Sequence, residues 1–333
     1  MTLKEIAAQA GVSPAAVSLV LHNKPGVGDA KRTEILALLQ KNNFITSNHP
    51  VSAPKKNLLF LKYIKNGFLV EENTGFIATI MDAVEAECRK NGYALNIVVS
   101  NNNLAQTIHE IDFSSFSGVF VLGTELDFSS YPLLKKIPIP YIVIDNIMPH
   151  FTCNAITMDN HEMVYDAVKH LASLGFPETG YLKSRMPIQN FEDRSSAFHQ
   201  AVTEFNMHCA PEHIFSLEPT MLGAYASMKQ YLAKGTDIPR CMFADNDVIA
   251  IGAIKALKEY KYRIPKDVCI IGFDDIRFAA VNSPSLSTMR VPKYLIGYLA
   301  VKILNDALQN NALQNCKMQV YGELIIRRST LLE

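Results

Sequence analysis

The sequence predicts a small all-α helix-turn-helix head followed by an α/β body of two doubly wound parallel-sheet lobes. Three observations carry that expectation. The first forty residues repeat apolar side chains at helical spacing and break at Gly11. From residue 58 onward, short apolar runs of strand length alternate with helical patterns, as βαβ units do. That alternation runs through twice, once to about residue 157 and again beyond it. A chain of 333 residues is long enough for two or three domains with sizeable cores. Its 48% hydrophobic and 19% charged residues are ordinary for a soluble globular protein, so motifs rather than bulk composition decide the function.

In the head, Leu3, Ile6, Ala7 and Ala10 fall at i, i+3, i+4 and i+7, one apolar stripe on a short helix. Gly11 can take the left-handed conformation that ends such a helix. Ser13 is a good N-cap for a second helix, and Pro14 then stands at N1, where a missing N–H matters least. Val17, Val20 and Leu21 face the first helix, while Pro14, Ala15, Ser18, Leu19 and His22 face away. A third helix from Asp29 to about Asn42 turns Ile35, Leu36 and Leu39 inward. Two short helices joined at a glycine turn and closed by a third describe a helix-turn-helix, whose second helix suits a DNA major groove. Residues 1–57 hold seven Lys/Arg against three acids, a net +4 that leaves −4 on the remainder. A basic head on an acidic body fits phosphate contact by the head alone.

Thr2-Leu3-Lys4-Glu5-Ile6-Ala7, Ala10-Gly11-Val12-Ser13 and Ala16-Val17-Ser18-Leu19-Val20-Leu21 together resemble the headpiece of the LacI/GalR family of repressors. The resemblance implies a DNA-binding domain over 1–44 and a double-stranded operator as partner. It makes Thr2, Leu3, Ser13, Pro14, Ala15, Ser18, Leu19, His22 and Lys31 the candidate DNA contacts. Where many relatives place long hydrogen-bonding side chains, this helix offers Pro14, Ala15 and Leu19. Readout therefore leans on apolar contact with thymine methyls and on Ser18 or His22.

Residues 45–57 are polar, carry Pro50 and Pro54, and show little apolar periodicity, which marks a linker. In the family this position holds a hinge helix that wedges a leucine into the minor groove. Here Phe44 stands for the family's tyrosine, Thr46-Ser47 replace its Pro-Asn, and Pro50 and Ala53 fall where its alanine and leucine belong. Both prolines disfavour a continuous helix, and alanine is a poor wedge.

The body, 58–333, begins with a buried strand at Leu58–Tyr63 and a helix about Gly75–Asn91. Strands at Tyr93–Ser100, Gly118–Leu122 and Tyr141–Asp145 follow, with a helix near Leu104–Asp112. The second series has strands at Ala155–Asp159, Gly180–Leu182, Cys241–Ala244 and Cys269–Phe273. Its helices are Glu162–Leu174, Asp193–Phe205, Met221–Ala233 and Val248–Tyr260. Two such lobes face each other across a cleft, a common place for a small ligand. The first lobe is expected to take about 58–157 and 291–317, and the second about 158–290 and 318–330.

The resemblance extends over this body, which is periplasmic-binding-protein-like. It rests on Phe243-Ala244-Asp245-Asn246-Asp247, Ile264-Pro265-Lys266-Asp267-Val268, Ile271-Gly272-Phe273-Asp274-Asp275, Pro284-Ser285-Leu286-Ser287-Thr288 and Glu323-Leu324-Ile325-Ile326-Arg327-Arg328-Ser329-Thr330, in the family's order. Only three residues follow Thr330, so the helical extension that makes some members tetramers is not expected, and a homodimer is. Polar residues at strand C-termini are the effector candidates, because carboxylates and amides accept from and donate to several hydroxyls. The resemblance places Asp145, Arg194, Asn246 and Asp274 in the effector cleft and Phe76 on its rim. Phe191, just before Arg194, joins them. Asp247 serves equally as an N-cap or a ligand contact, Asp275 is assigned to capping, and Phe76 is core or rim. The implied effector is a carbohydrate or a derivative of one.

An enzyme is not expected. The sequence has no HExxH, no GxSxG elbow and no GxxxxGK[ST] phosphate loop, and the Asp274-Asp275 pair has no evident acid partner for glycoside hydrolysis. The six cysteines show no CxxC pairing and interrupt apolar runs, as reduced thiols in the cytoplasm do. No cofactor or metal is implied, and no stretch approaches the ~20 apolar residues that span a bilayer. The rival reading, a sugar-binding protein without DNA function, shares the body's architecture. An expected lack of a signal peptide and the helical head favour the regulator.

The linker composition generates the first prediction. An irregular tether transmits lobe movement less sharply than a leucine hinge, so operator bending is expected to be weak. Circular-permutation gel shifts on the selected operator measure it. A sharp bend would instead support a short helical turn over 47–53, with Pro50 at N1.

Overall fold

The computed structural model describes residues 2–21, 26–42, 57–67, 74–310 and 315–332. His22 and nearly all of the 45–57 linker lie outside the described residues. The chain divides into two compact units, Met1–Lys56 and Asn57–Glu333.

The head contains α1 (Leu3–Gln9), α2 (Pro14–Leu21) and α3 (Asp29–Lys41). Thr2 caps α1 in a capping box with Glu5: the Glu5 N–H donates to Thr2 Oγ1, and the Thr2 N–H donates to Glu5 Oε2 at 2.8 Å. Gly11 has φ +63°, with Gly11 N–H donating to the Ala8 carbonyl at 3.2 Å and Val12 N–H to that of Ala7 at 2.9 Å. This is the Schellman arrangement that satisfies the last carbonyls of a helix. Ser13 Oγ accepts from the Ala16 N–H at 3.2 Å, as an N-cap should. Ile6, Ala7, Ala10, Val17, Val20, Ile35 and Leu39 form the buried core.

The body carries two six-stranded sheets. The first is ordered β11-β5-β4-β3-β1-β2 and the second β12-β10-β9-β8-β6-β7. Strands β1 (Asn57–Ile64), β2 (Ala94–Asn101), β3 (Gly118–Leu122), β4 (Tyr141–Ile144), β5 (Asn154–Met158) and β11 (Lys317–Val320) make the first sheet, all parallel. The second contains β6 (Gly180–Ser184), β7 (Ile214–Leu217), β8 (Cys241–Ala244), β9 (Cys269–Asp274) and β10 (Ser287–Arg290), with β12 (Glu323–Ile325) pairing antiparallel to β10. Residues 318–320, expected in the second lobe, belong to the first sheet instead: Lys317–Val320 pair in register with Ala155–Met158. Asn57, read as linker, begins β1.

Both faces of each sheet are covered, which explains the nearly continuous apolar strands. On β1 the pleat sends Leu58 and Phe60 to one core and Leu59 and Leu61 to another. The first of these faces packs under α4 (Thr74–Lys90) and α11 (Lys293–Asn310), and the other under α5 (Leu104–Glu110). In the second lobe, α6 (Asn160–Ser173) and α7 (Gln189–Glu204) pack together on one face, while α8 (Met221–Ala233) and α9 (Asp247–Glu259) cover the other. A short α10 (Arg277–Val281) follows β9. The chain passes between the sheets after Met158, after Arg290 and after Val320, so the strand C-termini of both lobes meet one cleft.

The contact of α11 with α4 needs Gly297. A Cβ there would lie 2.6 Å from the Ile80 carbonyl oxygen and 2.7 Å from Ala83 Cβ. Gly297→Val is therefore expected to push the helices apart and to destabilise the body by about 1–3 kcal/mol, as overpacking does. Urea denaturation of the full chain reads the change, and an unaltered midpoint would contradict the close approach.

Candidate functional site

The six residues expected at the effector cleft converge. Phe76 (α4), Asp145 (after β4), Phe191 and Arg194 (α7), Asn246 (after β8) and Asp274 (the end of β9) line one recess. Ile77, Thr124, Ile188 and Asn190 complete it. The sequence reading missed these four. Thr124 follows β3 and obeys the strand-end rule that found Asp145, whereas the two isoleucines carry no signal that separates them from core. The recess encloses about 30 Å³, room for a water or two. A sugar-sized ligand, whose pockets run to ~300 Å³ or more, enters only when the lobes part.

Helix α7 begins at Gln189, four residues before the expected start, and that puts Asn190 and Arg194 one turn apart on the same face. Arg194 is 2% exposed. Its Nε donates to Asn160 Oδ1 at 2.8 Å, one terminal nitrogen donates to the Asp245 carbonyl, and the other reaches Asp274 Oδ1 at 3.4 Å. The guanidinium carbon lies 3.7 Å from the Phe273 ring centroid, within cation–π range.

Asn190 joins the lobes: its Nδ2 donates to both the carbonyl and Oδ1 of Asp145 at 3.0 Å. Its Oδ1 accepts from Asn160 Nδ2 at 3.0 Å. Thr124 Oγ1 donates to the other Asp145 oxygen. Burial is the largest influence on the Asp145 carboxyl and pushes its pKa up to about 7; the negative Asp274 adds to this, against Thr124, Arg194 and Asn190. Behind it, Asp245 is raised to about 6 by burial although it accepts from Ser184 N–H and Tyr181 Oη. Asp145 (φ +68°) and Asp274 (φ +105°) both sit in the left-handed region, where a side chain is strained. The sharp turn aims each carboxylate into the cleft.

Three neighbouring assignments need correction. Asn246, not Asp247, caps α9: its Oδ1 accepts from the Ile249 N–H at 2.9 Å while the residue still lines the recess. Asp247 is neither cap nor wall. It is fully buried, accepting from Thr288 Oγ1 at 2.6 Å and Ile276 N–H at 2.9 Å, and burial raises its carboxyl well above the usual range. Asp275 does not cap α10, whose N-cap is Ile276. It pairs with Arg290 and Arg327, each at 2.7 Å; burial acts to raise its pKa, but these bonds hold it below normal. Phe76 is both core and wall, 3% exposed, with Lys293 Nζ 5.5 Å from its ring centroid.

In the head, Thr2, Ser13, Pro14, Ala15 and Ser18 are exposed. Leu3 is half-buried against the core. Leu19, expected to face away, is also half-buried and lies against Gly26. Lys31 pairs with Glu34 at 2.8 Å on the surface of α3. Among the described residues, no group of three or more His, Cys, Asp or Glu could hold a metal, and no helix is long and apolar enough to cross a membrane.

With this geometry in place, comparison with known proteins decides the family. The profile for "Bacterial regulatory proteins, lacI family" matches residues 2–47, and that for "Periplasmic binding protein-like domain" matches 168–330. The HTH-type transcriptional repressor PurR of Mannheimia succiniciproducens is 30% identical over 335 residues, 98% of each chain. The chain belongs to the LacI family of bacterial regulatory proteins. The PurR repressor of Pasteurella multocida is 28% identical over 98% of each chain. In fold, this LacI-family chain matches the lac repressor dimer bound to operator and the anti-inducer ONPF (TM-score 0.75, 20% identity, covering 100% of this chain and 99% of that one). It also matches a CelR–cellobiose complex (TM-score 0.74, 19% identity, 99% of each). It is a DNA-binding transcriptional regulator with a ligand-binding body.

The raised Asp145 carboxyl yields a pH prediction. From about pH 4, where an unfolded Asp gives up its proton, to about pH 7, native Asp145 still holds one. The folded state then binds more protons, so stability falls as pH rises through that window. Asp145→Asn removes this contribution, and its Tm should fall less across the window than that of the natural chain. Thermal denaturation over a pH series measures it. Parallel curves would assign Asp145 an ordinary carboxylate pKa.

Proposed function

We propose that the protein is a homodimeric repressor of a near-palindromic operator, released or strengthened by a small polar ligand, a carbohydrate or its derivative, bound between the lobes. The carrying observation is the Asn190–Asp145 contact at the back of the recess, which joins the two lobes through groups that a hydroxylated ligand also bonds. A ligand that engages Asp145 and Asp274 competes with this contact and so favours a different lobe arrangement, the differential affinity that a population shift requires. The carbohydrate reading draws support from the cellobiose held by CelR, and the DNA reading from the operator held by the lac repressor dimer. The exposed α2 residues Pro14, Ala15 and Ser18 would then read bases, with phosphate contact from the basic head, in the cytoplasm where operator DNA resides. Exposed apolar side chains support the dimer: Ile97 and Val99 on edge strand β2, Leu222 on α8, and Phe278 and Val281 on α10.

Selection from random DNA tests the regulator. The expected product is two half-sites in inverted repeat, one per protomer. Ala15→Arg, on the exposed face of α2, should change the consensus while adding at most about one unit to the salt slope. An unchanged consensus would remove α2 from base readout.

A further inference from the structure

The cleft is crowded with acids. Four carboxyl groups are buried around it: Asp145 and Asp274 in its wall at 3% exposure, Asp245 and Asp247 behind it at 0%. Lys183 acts on Asp245, and the cations packed around Asp274 are Arg194 and Lys293. Both already serve protein acceptors. All three Arg194 nitrogens donate to Asn160, Asp245 and Asp274, and its face lies on Phe273. Lys293 Nζ donates to the main-chain carbonyls of Asp274 and Asp275 and lies near the Phe76 ring. The carboxylates have acceptor capacity beyond these bonds: Asp145 takes one donor on each oxygen, from Thr124 and Asn190, where each oxygen has two lone pairs. The remaining polar wall residue, Asn246, has its Oδ1 turned to the helix it caps, which leaves its amide to the cleft.

Building on the small-ligand reading above, we propose that the cleft takes a ligand that donates hydrogen bonds and carries no anionic group, so that it discriminates against the phosphorylated form of its own ligand and favours an amine-bearing one. A phosphate brought into this recess meets the Asp145 and Asp274 carboxyl groups and no uncommitted guanidinium to pair with it bidentately. A hydroxyl or ammonium meets acceptors. Burial is the main cause of the upward shift of the Asp145 carboxyl, and the neighbouring Asp274 adds to it. Regulation by this protein would therefore report an unmodified compound, upstream of the class of reaction that phosphorylates it.

Matched triads test this on the full chain: each sugar, sugar alcohol and nucleoside of a panel is offered as the neutral compound, its amine-bearing analogue and its phosphate ester, in a thermal-shift titration. The expected result is stabilisation by the neutral or amine member of a triad, with the phosphate ester weaker by about tenfold or more. A phosphate ester that binds as well as or better than its neutral parent overturns the proposal while leaving the small-ligand reading intact. If no triad stabilises the protein, the proposal and the small-ligand reading fail together.

Discussion

The Arg194 guanidinium is the constraint on which the cleft depends. It sits on Phe273 and draws α6, through Asn160, the end of β8, through the Asp245 carbonyl, and the end of β9, through Asp274, to one point. A buried cation with this many partners is weak evidence of stability gained over an apolar alternative, but removing it strands each partner. Its loss would take one cation from the buried Asp274 and leave a carbonyl without its donor. Arg194 is consequently part of the second lobe's architecture as much as part of its binding surface, and a truncation there reads both roles at once.

Asp275 performs a related task where the chain passes between the lobes. Arg290, at the end of β10, and Arg327, just past β12, both bond its carboxylate, and Arg290 also reaches Glu323 at 3.0 Å. Lys293, the first residue of α11, holds the backbone of Asp274 and Asp275 from the first-lobe side. The crossing after Arg290 is thus bonded to the same β9 turn that aims Asp274 into the recess. A change in how ligand loads Asp274 acts on a segment already tied to the crossover, the physical continuity that coupling between lobes requires.

Much of this was legible in the sequence because it follows from spacing. Strands Gly118–Leu122 and Cys241–Ala244 and helix Met221–Ala233 have the bounds expected from apolar runs. The strand-end rule found Asp145, Asn246 and Asp274, since a parallel sheet delivers its C-termini to one edge. What failed was local polar bookkeeping. Asn246 and Asp247 are adjacent and both good caps, and only the turn geometry decides that Asn246 takes the Ile249 N–H while Asp247 turns inward to Thr288. Asp275 looked like a cap because its partners, Arg290 and Arg327, lie 15 and 52 residues away. The place of 318–320 was missed for the same reason, since pairing with β5 is long-range and its side chains alternate weakly.

The head and the body are specified at different levels. A three-helix unit of some forty residues buries too little apolar surface to be held by its core alone. Seven small or medium side chains make up that core among the described residues, and five of them, Ile6, Val17, Val20, Ile35 and Leu39, are larger than alanine. End effects then count for more: the Thr2–Glu5 box, the Gly11 turn and the Ser13 cap each stabilise by about 1 kcal/mol, a large share of the total for a small domain. Two of those capping residues, Thr2 and Ser13, are exposed. Both hydroxyls already accept from a helix-end N–H, so a substitution at either position acts first on the stability of the head, and any change in DNA binding there is to be read against a stability measurement.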